Sequence, residues 1–223
     1  MDVFEALATR RSIRGFRPDL IPRATLEKIL GAAARAPSGS NIQPWRVRVT
    51  TGAEKAALSR ALRAAHDAGA KVERDYHYYP RVWREPYLAR RRACGLGLYR
   101  LAGVARGDTA AAHEQRARNF DFFGAPTGLF FSIDRDMEQG SWLDTGMFLQ
   151  SIMLAARAEG LDTCAQAAFC DHHDVVRAHL GIPDDQALVC GMSIGIADHD
   201  VPANALVTDR EPLESFVTFG PDA

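Results

Sequence analysis

The chain has 223 residues, 47% of them hydrophobic and 25% charged, with a formal net charge of −1. That is enough apolar material for one or two domains with a sizeable core, and the near-neutral balance excludes a global field that would draw the chain to nucleic acid or to a membrane surface. No run approaches the roughly 20 apolar residues that cross a bilayer, and Met1 leads directly into an amphipathic helix instead of a basic start and an apolar leader.

Val3, Phe4 and Leu7 begin a short helix that ends near Arg10. Arg10-Arg11-Ser12-Ile13-Arg14-Gly15-Phe16 follows, and it reads either as a solvated basic turn or as an anion site. For the second reading, guanidinium forks grip phosphate bidentately, Ser12 adds a hydroxyl, and Ile13 and Phe16 pin the segment to the core. Next, Leu26, Ile29, Leu30, Ala33 and Ala34 recur at helical spacing on one face, and Pro37 cannot continue that helix. Between Pro37 and Trp45 lie Ser38, Gly39, Ser40, Asn41 and Gln43, more hydrogen-bonding groups than a connector needs; Gly39 also allows close approach to the backbone. This loop is either a capped helix end with a turn or part of a binding site. Trp45, Val47 and Val49 then alternate with Arg46, Arg48 and Thr50, the pattern of a strand with one buried face.

Ala53 to Ala68 reads as an exposed helix rich in Arg and Ala. Tyr76-His77-Tyr78-Tyr79-Pro80, Trp83 and Tyr87 form an aromatic cluster without a clean period. It is either a surface excursion packing its own rings or a mobile lid offering aromatic walls to a planar substrate. Leu88 to Ala105 is a helix whose Arg90, Arg91 and Arg92 are taken as solvated. Gly95-Leu96-Gly97 is no Rossmann site, because Arg100 holds the third glycine position and no strand precedes it. Phe120, Phe122 and Phe123 belong to the core or a pocket wall, and Thr127–Ile133 is the second strand. Leu143 to Glu159 is a helix apolar nearly all round, so it is buried within the domain or between subunits, and Gly160 ends it. Asp162 to Gln166 is a short strand. Asp171-His172-His173-Asp174 raises a metal site, but the two aspartates suit the first turn of a helix running to Leu180, and capping is preferred, with no metal expected. Leu188 to Ile196 is a strand with Leu188, Cys190, Met192, Ile194 and Ile196 on one face; Val189, Gly191, Ser193 and Gly195 leave the other nearly flat for a helix to pack on. Cys94, Cys164, Cys170 and Cys190 show no CxxC spacing and read as reduced thiols of a cytoplasmic protein. The expected fold class is α+β: one domain over 1–223, helices on both faces of a small mixed sheet, and a variable lid or pocket insertion around 70–123.

The order of an RRSxR segment, a helix and PSGxNxQPW resembles the nitroreductase family of flavoproteins, and the likeness extends through Gly160–Gln166 to the closing Asn204…Arg210-Glu211-Pro212-Leu213. The resemblance implies an α-β-α sandwich and a homodimer that holds FMN non-covalently at its interface. By the same likeness Arg10 and Arg210 are the phosphate ligands. Ser12 serves the phosphate or ribityl chain, Arg11 lies in the same segment, and Arg14 stands beside the N1/O2 edge of the flavin ring. Pro37, Ser38, Gly39 and Asn41 come from the other subunit with Gln43 supporting them, and Ala165, Gln166, Ala167 and Ala168 offer backbone groups to the N5/O4 edge. The implied activity is ping-pong electron transfer from NADPH or NADH to a nitroaromatic, quinone or enone. No side chain acts as general acid, and Arg14 is an electrostatic stabiliser of the reduced ring. Many members carry a glutamate where Ala167 stands and a lysine where Thr208 stands. Reductive dehalogenases of halogenated phenols, flavin-fragmenting enzymes and a non-catalytic FMN-binding module share the same motifs and stay as alternatives.

Overall fold

A computed structural model describes residues 1–70 and 73–221. Lys71, Val72, Asp222 and Ala223, which fall within the expected domain and, for the first two, the expected insertion, lie outside the described residues. Helix α1 (Val3–Thr9) is capped by Asp2, whose carboxylate accepts the Glu5 amide at 2.8 Å. Helix α2 (Arg23–Ala33) buries Leu26, Ile29 and Ala33 of the stripe expected from spacing, while Leu30 is half-buried and Ala34, just past the helix end, is exposed. Strand β1 (Arg46–Thr51) runs directly into α3 (Gly52–Asp67), which buries Leu58 and Leu62 completely; this helix is therefore a core element and not the exposed one its Arg and Ala content suggested. Helix α4 (Tyr87–Leu101) ends four residues early, before Gly103 turns the chain at φ +73°. Helix α5 (Thr109–Ala117), strand β2 (Thr127–Asp134), helix α6 (Gln139–Ala158), strand β3 (Asp162–Gln166), helix α7 (His173–Leu180) and strand β4 (Gln186–Gly195) complete the chain.

The sheet order is β1-β2-β4-β3, and every neighbouring pair is antiparallel. The expected mixed sheet is thus corrected. Strands β2 and β3 do run the same way, with α6 between them, but β4 inserts between the two and opposes both. The one parallel pairing among the described residues is an isolated bridge from Ser12 to Thr163.

Two buried clusters lie on opposite faces of the sheet and make the α-β-α sandwich. One joins Leu58, Leu62, Phe122, Phe130, Phe169, Val176 and Leu188, with α3 and α7 above it. The other joins Leu26, Ile29, Phe131, Phe148, Ile152, Met192 and Ile194 under α2 and α6. Trp45 closes the second cluster, stacked on Phe148 at 4.6 Å with 5° between the rings. Helix α6 buries Phe148, Ile152 and Ala156 yet leaves Leu143 68% exposed.

Four local expectations are overturned by long-range packing. Thr50, placed on the open face of β1, is buried because α3 folds back over that side. Leu188 sits in the cluster opposite Cys190 and Met192: β4 carries a bulge at Val189, where Phe131 pairs Cys190 and Ser132 pairs Leu188, and the extra residue reverses the alternation. The flat face of the sheet is filled by rings and not by a helix. A Cβ on Gly191 would lie 2.4 Å from Phe169, and one on Gly128 would lie 2.2 Å from Phe122. Gly191→Ala is expected to cost about 1–3 kcal/mol by forcing Phe169 off its seat, read as a lower urea midpoint at unchanged slope; an unchanged midpoint would mean the ring moves freely. Asp171 does not cap α7 either. Its carboxylate takes the Arg74 guanidinium at 2.5 Å, and Asp174 alone occupies the first turn.

Candidate active site

The basic segment owes its position to backbone pairing. After α1, the Ile13 amide donates to the Thr163 carbonyl at 3.1 Å, which lays the segment along the start of β3. Ile13 and Phe16 are buried, as their apolar character requires. Asn204 fixes what lies between them. Its side-chain oxygen accepts the Arg14 amide at 2.6 Å, and its amide nitrogen donates to the Gly15 and Asp198 carbonyls at 2.8 Å each. Arg118 adds a bond to the Arg14 carbonyl at 3.1 Å. The chain that leaves Asn204 then runs alongside and brings Arg210 in.

The result is a cleft of about 470 Å³ lined by Arg10, Arg11, Ser12, Arg14 and Arg210, with Leu7, Ala8, Cys94, Leu206, Val207 and Thr208 as its remaining walls. Arg14 Nη1 donates to the Ser12 carbonyl at 3.2 Å. Arg210 Nη1 donates to Thr208 Oγ1 at 2.7 Å and to the Asp209 carbonyl at 2.9 Å, so Thr208 orients this guanidinium. Among the described residues none of these four arginines has a carboxylate partner, whereas Arg17, Arg46, Arg63, Arg74 and Arg157 each have one. Burial, and next the like charge of Arg210, hold the Arg10 guanidinium below its ordinary pKa. Beneath the cleft Cys164 is fully buried, which pushes its thiol up to about 11 against the pull of Arg14 and Arg10. A concave site holding four guanidiniums and a serine, with no internal counter-charge, has the donor set of a phosphate site.

The second motif is ordered but lies elsewhere. Pro37, Ser38, Gly39, Asn41 and Gln43 contribute nothing to the arginine cleft of the same chain. Ser38 Oγ accepts the Gln43 amide at 3.0 Å, and the Gln43 side chain donates to the Asn41 carbonyl at 3.1 Å. Asp144 on α6 accepts the Gly39 amide at 3.1 Å, an anchor that no local pattern announces. Ser40, Asn41 and Gln43 all take left-handed φ angles of 49°, 57° and 49°, a concentration of backbone strain typical of ligand-binding loops. At the end of β3, Ala165 is exposed, Ala167 and Ala168 are half-buried, and the Gln166 side chain is fully used. It donates to the Asn119 carbonyl at 2.9 Å and accepts from Ser193 Oγ at 2.5 Å.

A model described as the Nitroreductase family matches residues 7–196. The chain belongs to the nitroreductase family. It is 40% identical over 223 residues, covering 98% of this chain and 90% of the relative, to a 4-nitrobenzoate reductase of a Nocardioides species. It is 39% identical, over 96% of this chain and 95% of the relative, to a nitrobenzene nitroreductase of Ectopseudomonas oleovorans. Among solved structures, the FMN and NADPH-dependent nitroreductase NfnB of Sphigopyxis sp. strain HMH superposes with a TM-score of 0.95 at 39% identity, covering 99% of each chain. NfnB of Mycobacterium smegmatis, an FMN-dependent nitroreductase solved in complex with NADPH, gives 0.92 at 32% identity, covering 98% of this chain and 100% of that one. Within this nitroreductase, Asn204 and Asp144 are site-building residues; sequence reasoning noted Asn204 only as part of the closing motif, with no role, and missed Asp144 altogether. Their partners lie 190 and 105 residues away, beyond the reach of any local signal.

Proposed function

We propose that this protein binds FMN in the arginine cleft and reduces nitroaromatic compounds at the expense of NADPH or NADH. The observation that carries the reading is the set of four guanidiniums without counter-charge in one cleft, on a chain that neutralises many of its other arginines. Bound FMN would supply the redox chemistry, accepting hydride from the nicotinamide and passing electrons to the acceptor. Arg10 and Arg210 hold its phosphate, with Ser12 and Arg11 beside them. Arg14 offers fixed positive charge to the N1/O2 edge, where reduction places negative charge. Backbone groups of Ala165, Gln166, Ala167 and Ala168 serve the opposite edge. Pro37, Ser38, Gly39 and Asn41 reach the cofactor from a second subunit, their shape kept by Gln43 and Asp144. No side chain of the set is a general acid, and water provides the protons. The relatives named for 4-nitrobenzoate and nitrobenzene support the substrate class. Reducing the yellow protein anaerobically with NADPH and then adding nitroarenes, quinones or halophenols tests it; reoxidation by halophenols alone would favour a dehalogenase, and none at all a binding module.

The functional unit is a homodimer formed by one domain per chain. The isolated chain exposes 13020 Å², against about 10,000 Å² for a monomer of this mass. Phe4 is 83% exposed and Phe216 69%, and α4 buries no residue at all, a large apolar surface that one chain leaves uncovered. Sedimentation at low micromolar concentration is expected to give a dimer, and a monomer retaining one FMN per chain would overturn this. Four free cysteines suit a reducing, cytoplasmic setting; recovery from an oxidising compartment would contradict it.

A further inference from the structure

Two consecutive residues just past α5 touch both of the segments that flank the proposed flavin ring. Arg118 donates through Nη2 to the Arg14 carbonyl at 3.1 Å. Asn204 takes the Arg14 amide at 2.6 Å, so the N–H and the C=O of Arg14 are both held by side chains. Next in the chain, Asn119 accepts the Gln166 side-chain amide twice, at its carbonyl at 2.9 Å and at Oδ1 at 3.2 Å. Ser193 Oγ donates to the other end of that side chain at 2.5 Å, and Gln166 and Ser193 are both buried. The end of β3 is therefore fixed from two elements. β3 is an edge strand. Thr163 turns its carbonyl outward to the Ile13 amide at 3.1 Å, so the two-residue repeat of the strand turns the backbone groups of Ala165 to the same open edge.

The turn that carries this pair is strained. Phe122 and Phe123 take φ angles of 55° and 53°, left-handed values that bulky residues rarely adopt, and Gly124 follows at 86°. Both rings are buried. The Phe123 amide donates to the Arg118 carbonyl at 3.0 Å, and the Phe123 carbonyl accepts the Phe16 amide at 3.0 Å. A Cβ on Gly124 would lie 3.2 Å from the Phe16 carbonyl oxygen. The turn is thus locked against the basic segment, and strain maintained by such packing clusters where a site must be held in shape.

We propose that Arg118 and Asn119 are positioning residues that together set the spacing between Arg14 and the backbone groups at 165–168. The proposal rests on the FMN reading above and gives its two edges a single rigid gauge. Arg118 acts through Arg14, and Asn119 acts through Gln166. Stabilisation of the reduced ring depends on a charge held in place, where a displacement of about 1 Å is costly.

Arg118→Met keeps the aliphatic stem and removes the donor; Gln166→Met keeps the volume and removes the tie to Asn119. In the cofactor-free chain, hydrogen exchange at the Ile13, Arg14 and Phe16 amides is expected to quicken about tenfold in Arg118→Met, while the amides of α6 stay as in wild type. In the FMN-loaded protein the flavin midpoint potential should fall by about 30 mV, a tenfold loss of bias toward the reduced form. Reduction by NADPH should slow in step, and FMN affinity should change less than about threefold, since no phosphate contact is lost. Arg118→Lys, which keeps a charged donor, should restore most of the potential. The double variant should slow reduction by less than the product of the two single effects, because either loss alone releases the spacing. An unchanged potential and unchanged exchange in Arg118→Met overturn the proposal, and so do single effects that multiply. A loss of FMN affinity as large as that of Arg10→Ala also overturns it and assigns Arg118 to the cofactor directly. Wild type that takes up no FMN sinks the flavin reading and this proposal with it; loaded variants that match loaded wild type sink the proposal alone.

Discussion

Arg10→Ala and Arg210→Ala are each expected to weaken FMN binding by about 10- to 150-fold, the factor that corresponds to about 1.5–3 kcal/mol for a charge-assisted contact. The same substitutions should stabilise the chain freed of cofactor. Arg10 is partly buried, and burial first and the like charge of Arg210 next disfavour its charged form, a cost that truncating Arg10 removes and truncating Arg210 reduces. The double variant should accordingly lose less than the sum of the two single losses, because the groups are coupled. Flavin absorbance after dialysis, and melting with and without added FMN, measure both signs. Arg23→Ala is the control, an exposed arginine paired to Glu27 and remote from the cleft. Full flavin retention in both variants would remove the phosphate assignment.

Asp75→Ala is expected to cost about 3 kcal/mol of stability, the low end for removing one partner of a buried ion pair, since one of its partners is substantially exposed. The Asp75 side chain is 8% exposed. It binds Arg135 at 3.0 Å and Arg177 at 3.3 Å, and it accepts the Leu188 amide at 3.2 Å. Arg177 is only 12% exposed, so truncation strands a nearly buried charge. Burial alone would raise the Asp75 pKa, but Arg135, the Leu188 amide, His173 and Arg177 outweigh it and hold the carboxyl below the ordinary range. A depressed folded pKa contributes its stability in full above the unfolded value near 4 and loses it as pH falls through the folded value. The gap in urea midpoint between wild type and Asp75→Asn should therefore be constant at neutral pH and close below about pH 4. A gap that persists in acid would mean packing and not charge.

Elements built from local pattern were legible in the chain. The α2 stripe, the strand Asp162–Gln166 and the stop at Gly160 follow from spacing and from single-residue conformational rules. The arginines of the cleft were legible as well, because four of the five polar groups lie within five consecutive residues, and the structure shows Arg210 joining them. What escaped depended on contacts between distant segments. The antiparallel sheet follows from where β4 inserts, which neither β2 nor β3 encodes. The reversal at Leu188 follows from a bulge that exists only once β4 meets β2. Gly191 was read as part of a seat for a helix and Gly128 was not singled out, yet the partners that fill the space over them, Phe169 and Phe122, come from short helical turns with no amphipathic signature.

The bulge at Val189 reaches beyond the sheet. By stepping out of the ladder it frees backbone groups of β4, and the segment entering the aromatic excursion takes them: Asp75 receives the Leu188 amide and the Tyr76 hydroxyl donates to the Val189 carbonyl. The excursion is therefore moored at a fault in a strand and not woven into one. The stretch between Tyr76 and the start of α4 at Tyr87 pairs with no strand, so it can be lengthened, shortened or rewritten without a change in strand pairing, and new acceptor preferences are open to a lineage that leaves its sheet untouched. Deleting one residue at the bulge would have the opposite effect, restoring a regular strand while casting the excursion loose.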